Sequence, residues 1–171
     1  MLAPLLSGSC HEDAAFIVLQ DGLRDDMLDM LIDAVREESG RKISKVIKTV
    51  ELKPGQVYFL SRDHRFHFEK TPVRLSPESQ EAPFDLDILL NSAIDSGIPC
   101  AVVALSGFLR EGKLALQNLV AHGCEIWGSQ IQQTPIPDLV NDLQTAKLLT
   151  GQDQLKVLLE QVKFKSSGAK A

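Results

Sequence analysis

The stretch CAVVALSGFLREGKLALQNLVAHG, at residues 100–123, constrains the fold more strongly than any other part of the chain. It begins with a continuous apolar run up to Leu105 and continues as an amphipathic helix from about Glu111. A short apolar run that ends at turn residues is typical of a strand buried on both faces of a parallel sheet. Because open parallel sheets bind ligands beyond the carboxyl ends of their strands, the segment from Ser106 to Gly112 is the predicted position of an active site.

Apolar runs alternate with amphipathic helical segments along the rest of the chain. Strands are predicted at residues 14–19, 42–52, 56–60 and 124–127, an antiparallel hairpin at 62–69 and 71–75, and helices at 23–39, 85–96, 111–122, 137–149 and 155–162. The first helix is predicted to bury a face that includes Met27, Leu28, Met30 and Val35. This order predicts an α/β fold, with a doubly wound, mostly parallel sheet, helices on both faces, and an antiparallel edge formed by the basic segment and the hairpin.

Length and composition indicate one globular domain. We expect residues 14–163 to form the α/β domain, with an N-terminal segment at 1–13 and a flexible tail at 164–171. Net charge is −5, and no basic face with interleaved aromatic residues is visible, which argues against a nucleic-acid partner. The locally basic residues 41–53 are predicted to form one solvated strand face, with a patch for an acidic partner as the alternative. No apolar run is long enough for membrane insertion.

The three cysteines form no CxxC pair. Cys100 and Cys124 both lie in apolar runs, so we expect them to act as small hydrophobic residues of the core. The odd count, together with an opening segment that lacks the basic start and long apolar run of a secretory signal, predicts a reducing cytoplasmic location.

Side chains suited to catalysis are sparse. Ser106 follows a strand, but its context, A-L-S-G-F, differs from the G-x-S-x-G turn that exposes a nucleophilic serine. Metal-ligand spacing and glycine-rich phosphate loops are absent from the sequence, so we expect no metal and no other cofactor. We expect the four histidines to be structural or surface residues (His11, His64, His67 and His122).

Two carboxylates near the predicted strand ends leave more than one interpretation. Glu111 is either a first-turn carboxylate favoured by the helix dipole or an acid that orients a histidine. The position after the first apolar strand, where such a histidine is expected, is Asp21. Asp21 and Glu111 could share a proton or bind a divalent cation, although two carboxylates make a thin coordination shell.

Four segments, spaced over residues 14–162, carry a resemblance to one known family. Residues 14–20 (AAFIVLQ) resemble the family strand that ends in Gln-His, and residues 50–60 (VELKPGQVYFL) resemble a family segment with Pro-Gly and Tyr. Residues 84–93 (FDLDILLNSA) are similar to the family's Pro-Ser-Val-Asp-Val-Leu-Phe-x-Ser-Ala motif. Residues 101–123 are similar to Val-x-Leu-(Thr/Ser)-Gly-Met-Gly-x-Asp-Gly with its following helix. Together the four segments resemble the catalytic domain of the chemotaxis receptor methylesterases of the CheB type. The resemblance implies a doubly wound α/β sheet and hydrolysis of glutamate methyl esters on chemoreceptors by a Ser-His-Asp triad.

The departures from the family pattern fall on the catalytic positions. The resemblance places Asp21 at the position of the family histidine and Glu111 at that of the family aspartate. The family serine lies in a strand–helix unit ahead of the first matched segment, and we expect this chain to lack it. Phe108 replaces the methionine whose backbone helps to form the oxyanion hole. The implied site-lining positions are Gln20, Ser106, Gly107, Phe108, Gly112 and Pro137.

These departures predict a degenerate, catalytically inactive CheB-like domain that acts as a binding or regulatory module in bacterial chemotaxis-like signalling. Its expected partner is a protein, either a signalling component or chemoreceptor, or a second copy of the chain. Two alternatives remain open. One is an active protein-glutamate methylesterase or related hydrolase completed by another chain, and the other is an α/β domain that binds a small ligand.

Overall fold

The computed structural model describes residue 6 and residues 14–19, 23–78, 82–104, 112–129 and 147–149. Two compact units make up the chain, Met1–Phe84 and Asp85–Ala171. The described strands are β1 (Phe16–Leu19), β2 (Ile43–Val46), β3 (Val50–Glu51), β4 (Val57–Leu60), β5 (Phe66–Glu69), β6 (Arg74–Pro77), β7 (Ala101–Ala104), β8 (Glu125–Ser129) and β9 (Lys147–Leu149). The described helices are α1 (Asp25–Ser39), α2 (Leu86–Asp95) and α3 (Lys113–Ala121).

A three-stranded parallel sheet in the order β1-β4-β2 forms the centre of the first unit. The middle strand, β4, pairs along its whole length with both neighbours, and all four of its residues are buried. The side chains of Val57 and Phe59 meet Leu28, Ile32 and Val35 of α1 in one hydrophobic cluster. A central strand covered in this way reads as the continuous apolar run VYFL, which the sequence pattern predicted correctly.

Helix α1 has the sequence signals of both of its ends. Asp25 and Asp26 lie in the first turn, where negative charge is favoured, and Gly40 ends the helix at a φ of 65°, with its N–H donating to Arg36 O. The predicted buried face is partly wrong, since Met27 is 47% exposed and Met30 is 74% exposed. The core needs only one stripe of this helix, Leu28, Ile32 and Val35, and the two methionines lie beside that stripe rather than on it.

The basic segment differs from the single solvated strand that its composition predicts. It forms two strands in two sheets, because the chain bends at exposed residues 47–49. β2 pairs in parallel with β4, so it belongs to the parallel sheet and not to an antiparallel edge. Lys45 is only 16% exposed and forms ion pairs with α1. Arg41 packs over the ring of Phe16 and donates to backbone oxygens.

The predicted antiparallel hairpin is confirmed, with its second strand three residues later than predicted. β5 pairs with β6, and β6 also pairs with β3, which gives the order β3-β6-β5. Phe66 and Leu75 are fully buried in this sheet. The turn takes residues 70–73, and Leu75 is therefore near the start of its strand rather than at its end.

The second unit repeats the parallel pattern with β7-β8-β9. Helices α2 and α3 pack together, and Leu90, Ala115, Leu116, Leu119 and Ile126 form their core. The helix predicted to reach residue 149 is wrong at its end, because Lys147–Leu149 form a strand beside β8. Together with the antiparallel sheet and the three helices, these parallel sheets confirm the predicted α/β class.

Candidate functional site

One of the predicted site positions, Gly112, lies within the described residues. The others lie outside them, and their roles remain predictions (Gln20, Asp21, Ser106, Gly107, Phe108, Glu111 and Pro137). β7 ends at Ala104 and α3 begins at Lys113, so residues 105–112 connect the carboxyl end of a parallel strand to a helix amino terminus. This is the position at which open parallel sheets hold their ligands, as predicted from the sequence.

Gly112 ends this connection in a conformation that favours glycine. Its φ is +91°, in the left-handed region, and its carbonyl accepts the first hydrogen bond of α3 from Leu116 N at 2.8 Å. A Cβ at this position would lie 2.7 Å from Leu86 Cδ2 and 2.9 Å from Leu86 Cγ. The sequence pattern predicted that this helix begins at Glu111. The left-handed backbone of Gly112 explains why α3 begins after it, at Lys113.

Asp87 supplies the helix cap that Gly112 lacks. Glycine has no side chain to accept a hydrogen bond, and no side chain on the N-cap residue bonds to α3. Instead Asp87 Oδ1 accepts from Ala115 N at 3.2 Å, which satisfies one of the unpaired N–H groups of the first turn. Asp85 caps α2 in the ordinary way, by accepting from Ile88 N at 3.0 Å. The first turn of α2 therefore fixes the beginning of α3.

A polar cluster lies close to the carboxyl ends of the first parallel sheet, and we name it the Asp25 cluster, after its central residue. Lys45 Nζ is 2.7 Å from Asp25 Oδ2 and 3.0 Å from Asp29 Oδ1. The hydrogen bond from Lys45 lowers the pKa of Asp25 despite some desolvation, and Ser61 lowers it further. Partial burial acts to lower the pKa of Lys45, but its bonds to the two carboxylates raise it overall.

The imidazole of His64 lacks a hydrogen bond that a catalytic histidine needs. Its Nδ1 atom is buried and neither accepts nor donates a hydrogen bond. In a Ser-His-Asp triad the carboxylate bonds to this nitrogen and fixes the tautomer of the imidazole.

Serine, carboxylate and histidine side chains meet on the antiparallel sheet, around Glu69. Ser76 Oγ donates to Glu69 Oε1 at 2.6 Å, and His67 Nε2 lies 3.4 Å from the same oxygen. The Ser76 hydrogen bond lowers the pKa of Glu69. Thr49 Oγ1, at 3.0 Å, is a further neighbour of the Ser76 hydroxyl. The carboxylate therefore separates the serine from the imidazole.

Sequence reasoning missed both clusters. Ser61 directly follows the apolar strand VYFL, and a hydroxyl at the carboxyl end of a central strand was a usable signal. Nothing in the sequence indicated that Asp25 and Lys45 would form an ion pair, because their contact depends on how α1 packs on β2. The prediction for His122 is consistent with the structure, where it ends α3 with Nδ1 2.8 Å from Asn118 O.

Two further features of the described residues concern metal binding and membrane spanning. None of their histidine, cysteine and acidic side chains gather in groups of three that could hold a metal ion. Among the helices of these same residues, none has both the length and the apolar character needed to span a bilayer.

Comparisons with known proteins define first the class and then the family. The fold is that of the crystal structure of the Thermotoga maritima CheB methylesterase catalytic domain, with a TM-score of 0.72 at 13% sequence identity, covering 95% of this chain and 92% of that chain. The family model for CheB methylesterase matches residues 2–156. The chain therefore belongs to the CheB methylesterase family. No curated protein matches it.

Proposed function

We propose that this chain is a CheB-like domain that has lost ester hydrolysis and acts as a binding or regulatory module in bacterial chemotaxis-like signalling in the cytoplasm. One feature of the sequence carries the proposal: the resemblance places Asp21 where the family strand ends in its catalytic histidine. Family membership supports the link to chemotaxis, because the family enzymes act on chemoreceptors. The same membership makes the change at Asp21 informative, since the family reaction depends on that position.

An aspartate is a poor replacement for the histidine of a serine hydrolase. The base must take the serine proton during attack and return it to the leaving group. Histidine suits both steps because its pKa is about 6.5, whereas a solvated aspartate has a pKa of about 3.9 and is a weak base at neutral pH. Loss of one triad member removes several orders of magnitude of rate. Glu111 in place of the family aspartate is a smaller change, because the carboxylate is retained.

The described residues support the proposal where serine, histidine and a carboxylate meet around Glu69. There Ser76 donates to the carboxylate and not to an imidazole. This arrangement does not give Ser76 the base that acyl transfer requires. It therefore supplies no substitute for the altered family position.

The proposed ligand is a protein, either a signalling component, a chemoreceptor or a second copy of the chain. Light scattering coupled to size-exclusion chromatography separates the last case from the others. A dimer at tens of micromolar supports self-association, and a monomer at that concentration excludes it and leaves a different protein as the partner.

Methanol release from membranes that carry methylated chemoreceptors tests the loss of activity. We expect the wild-type chain to release no more methanol than the buffer blank. The variants D21A and E111A are compared with D33A, which removes an exposed carboxylate of α1 outside the site. Methanol release that falls in D21A or E111A but not in D33A would overturn the proposal, because it would assign those carboxylates a catalytic role.

A further inference from the structure

The second unit holds two thiols in direct contact. Cys100 and Cys124 immediately precede β7 and β8, and their Sγ atoms are 3.6 Å apart. Both are free thiols in the structure. The sequence predicted each of them as an isolated core residue, and both do pack against the core of the second unit. Their mutual contact arises because β8 follows β7 as its direct neighbour in the sheet.

The register of the two strands places the cysteines opposite each other. Ala101 pairs with Glu125, so the residues one position earlier, Cys100 and Cys124, occupy matching positions on neighbouring parallel strands. Neighbouring strands lie about 4.8 Å apart. That spacing falls within the range of about 4.4–6.8 Å that disulfides require between Cα atoms. Because the thiols already touch, the two side chains can form the bond by rotating, and the backbones of the two strands need to move little.

We propose that Cys100 and Cys124 form a reversible disulfide site, for which the reactant is a low-molecular-weight disulfide of the glutathione type. In the first step a protein thiolate attacks one sulfur of the small disulfide. A mixed disulfide forms, the small S–S bond breaks, and the leaving thiolate takes up the proton lost by the attacking cysteine. In the second step the other cysteine attacks the mixed disulfide and releases a second small thiol. The two protein thiols together lose two electrons and two protons, and the small disulfide becomes two thiols.

Burial controls the rate of this exchange. Desolvation, with the neighbouring Cys124, raises the pKa of Cys100 to about 12. Cys100 therefore holds little thiolate near neutral pH, and its attack on the small disulfide is slow. The second attack is intramolecular between groups already in contact, so the mixed disulfide should not accumulate. The rate of attack by Cys100 is expected to rise by about tenfold per pH unit while this thiol remains mostly protonated.

The bond would close a loop between residues 24 positions apart. That loop contains β7, the 105–112 connection and α3. The two cysteines lie at the amino ends of their strands, whereas the predicted site follows the carboxyl end of β7. Oxidation is therefore expected to restrain the β7–α3–β8 crossover without occupying the predicted site. This inference is independent of the proposed function.

The test uses the full chain and a Cys10→Ser variant, which removes the remaining cysteine. Each protein is treated with excess oxidised glutathione near neutral pH and one pH unit higher, and intact mass, free thiols and digested peptides are followed over time. In the Cys10→Ser variant we expect the loss of two hydrogen atoms and of two thiols, and in both proteins a linked peptide pair containing Cys100 and Cys124. Dithiothreitol should reverse all three, and the oxidised form should melt at a higher temperature.

Single variants supply the matched controls. C100S and C124S should each stop at one glutathione adduct on the remaining cysteine of the pair, with circular dichroism confirming that they fold. Retention of both thiols under conditions that modify Cys10 would overturn the proposal. So would a persistent glutathione adduct on Cys100 or Cys124 of the full chain, or a bond from either of them to Cys10 or to another molecule. Peptide mapping of the unmutated chain decides the question even if a variant fails to fold, and no outcome depends on methanol release.

Discussion

Gly112→Ala should destabilise this protein through two separable effects. The backbone at residue 112 has a φ of +91°, and an added Cβ would lie 2.7 Å from Leu86 Cδ2. A non-glycine residue in the left-handed region costs about 1–2 kcal/mol. Overpacking a close contact adds about 1–3 kcal/mol. Alanine also lowers the conformational entropy of the unfolded chain, which stabilises the folded protein by about 0.4–1 kcal/mol. We therefore expect the free energy of unfolding to fall by about 1–4.5 kcal/mol.

Gly123→Ala is the matched control for the backbone effect alone. Gly123 has a φ of +81°, yet a Cβ there would meet nothing within 4 Å. Its substitution should cost about 1 kcal/mol, so the difference between the two variants measures the contact with Leu86. Urea denaturation followed by circular dichroism gives the free energy of unfolding for each variant, and the slope against urea reports whether the unfolded state has changed.

A double-mutant cycle with Leu86→Ala tests the assigned cause directly. Shortening Leu86 removes Cδ2 and Cγ, the two atoms that the new Cβ would approach most closely. Gly112→Ala should therefore cost about 1–3 kcal/mol less in the Leu86→Ala background than in the wild-type chain. Equal costs in the two backgrounds, or a Gly112→Ala cost no larger than that of Gly123→Ala, would refute the packing argument.

Three further predictions concern hydrogen bonds and charge. Tyr58→Phe should cost about 1–3 kcal/mol by urea denaturation, because the buried hydroxyl accepts from one backbone N–H and donates to one backbone carbonyl. Asp85→Ala should cost about 1 kcal/mol and reduce hydrogen-exchange protection of the Ile88 amide, which Asp85 caps. Lys45→Met should cost about 1 kcal/mol or less at neutral pH. Because the folded-state pKa of Asp25 lies below 3.8, the stability that the Lys45–Asp25 pair contributes should be lost as pH falls through that lowered value. The free energies of unfolding of the wild-type chain and of Lys45→Met should therefore become equal in acid.

Local patterns in the sequence predicted the secondary structure well where one residue type decides the outcome. The run VYFL gave the central strand of the first sheet, and Asp85 marked the start of α2. The pattern failed where a choice depends on tertiary contacts. Alternation over residues 42–52 could not show that the chain changes sheets, and composition could not show that Lys45 would be drawn against α1.

The sequence predicts a position for the candidate site but does not indicate the tertiary contacts around Gly112. The apolar run before Ser106 identified the strand whose carboxyl end the site should follow, and the structure places the end of β7 at Ala104. Gly112 was recognised from a motif, whereas its contact with Leu86 joins residues far apart in sequence. Asp87 lies in residues 84–93, the segment that is similar to the family's Pro-Ser-Val-Asp-Val-Leu-Phe-x-Ser-Ala motif. Its role as a remote helix cap depends on how α2 packs against α3, which local sequence does not encode.

The bond between Asp87 and Ala115 has a mechanical consequence. With Leu86 pressed against Gly112, it couples the leading turns of two helices into one rigid joint. A protein that pushed on α2 would thereby tilt the anchored end of the 105–112 connection without ever touching it.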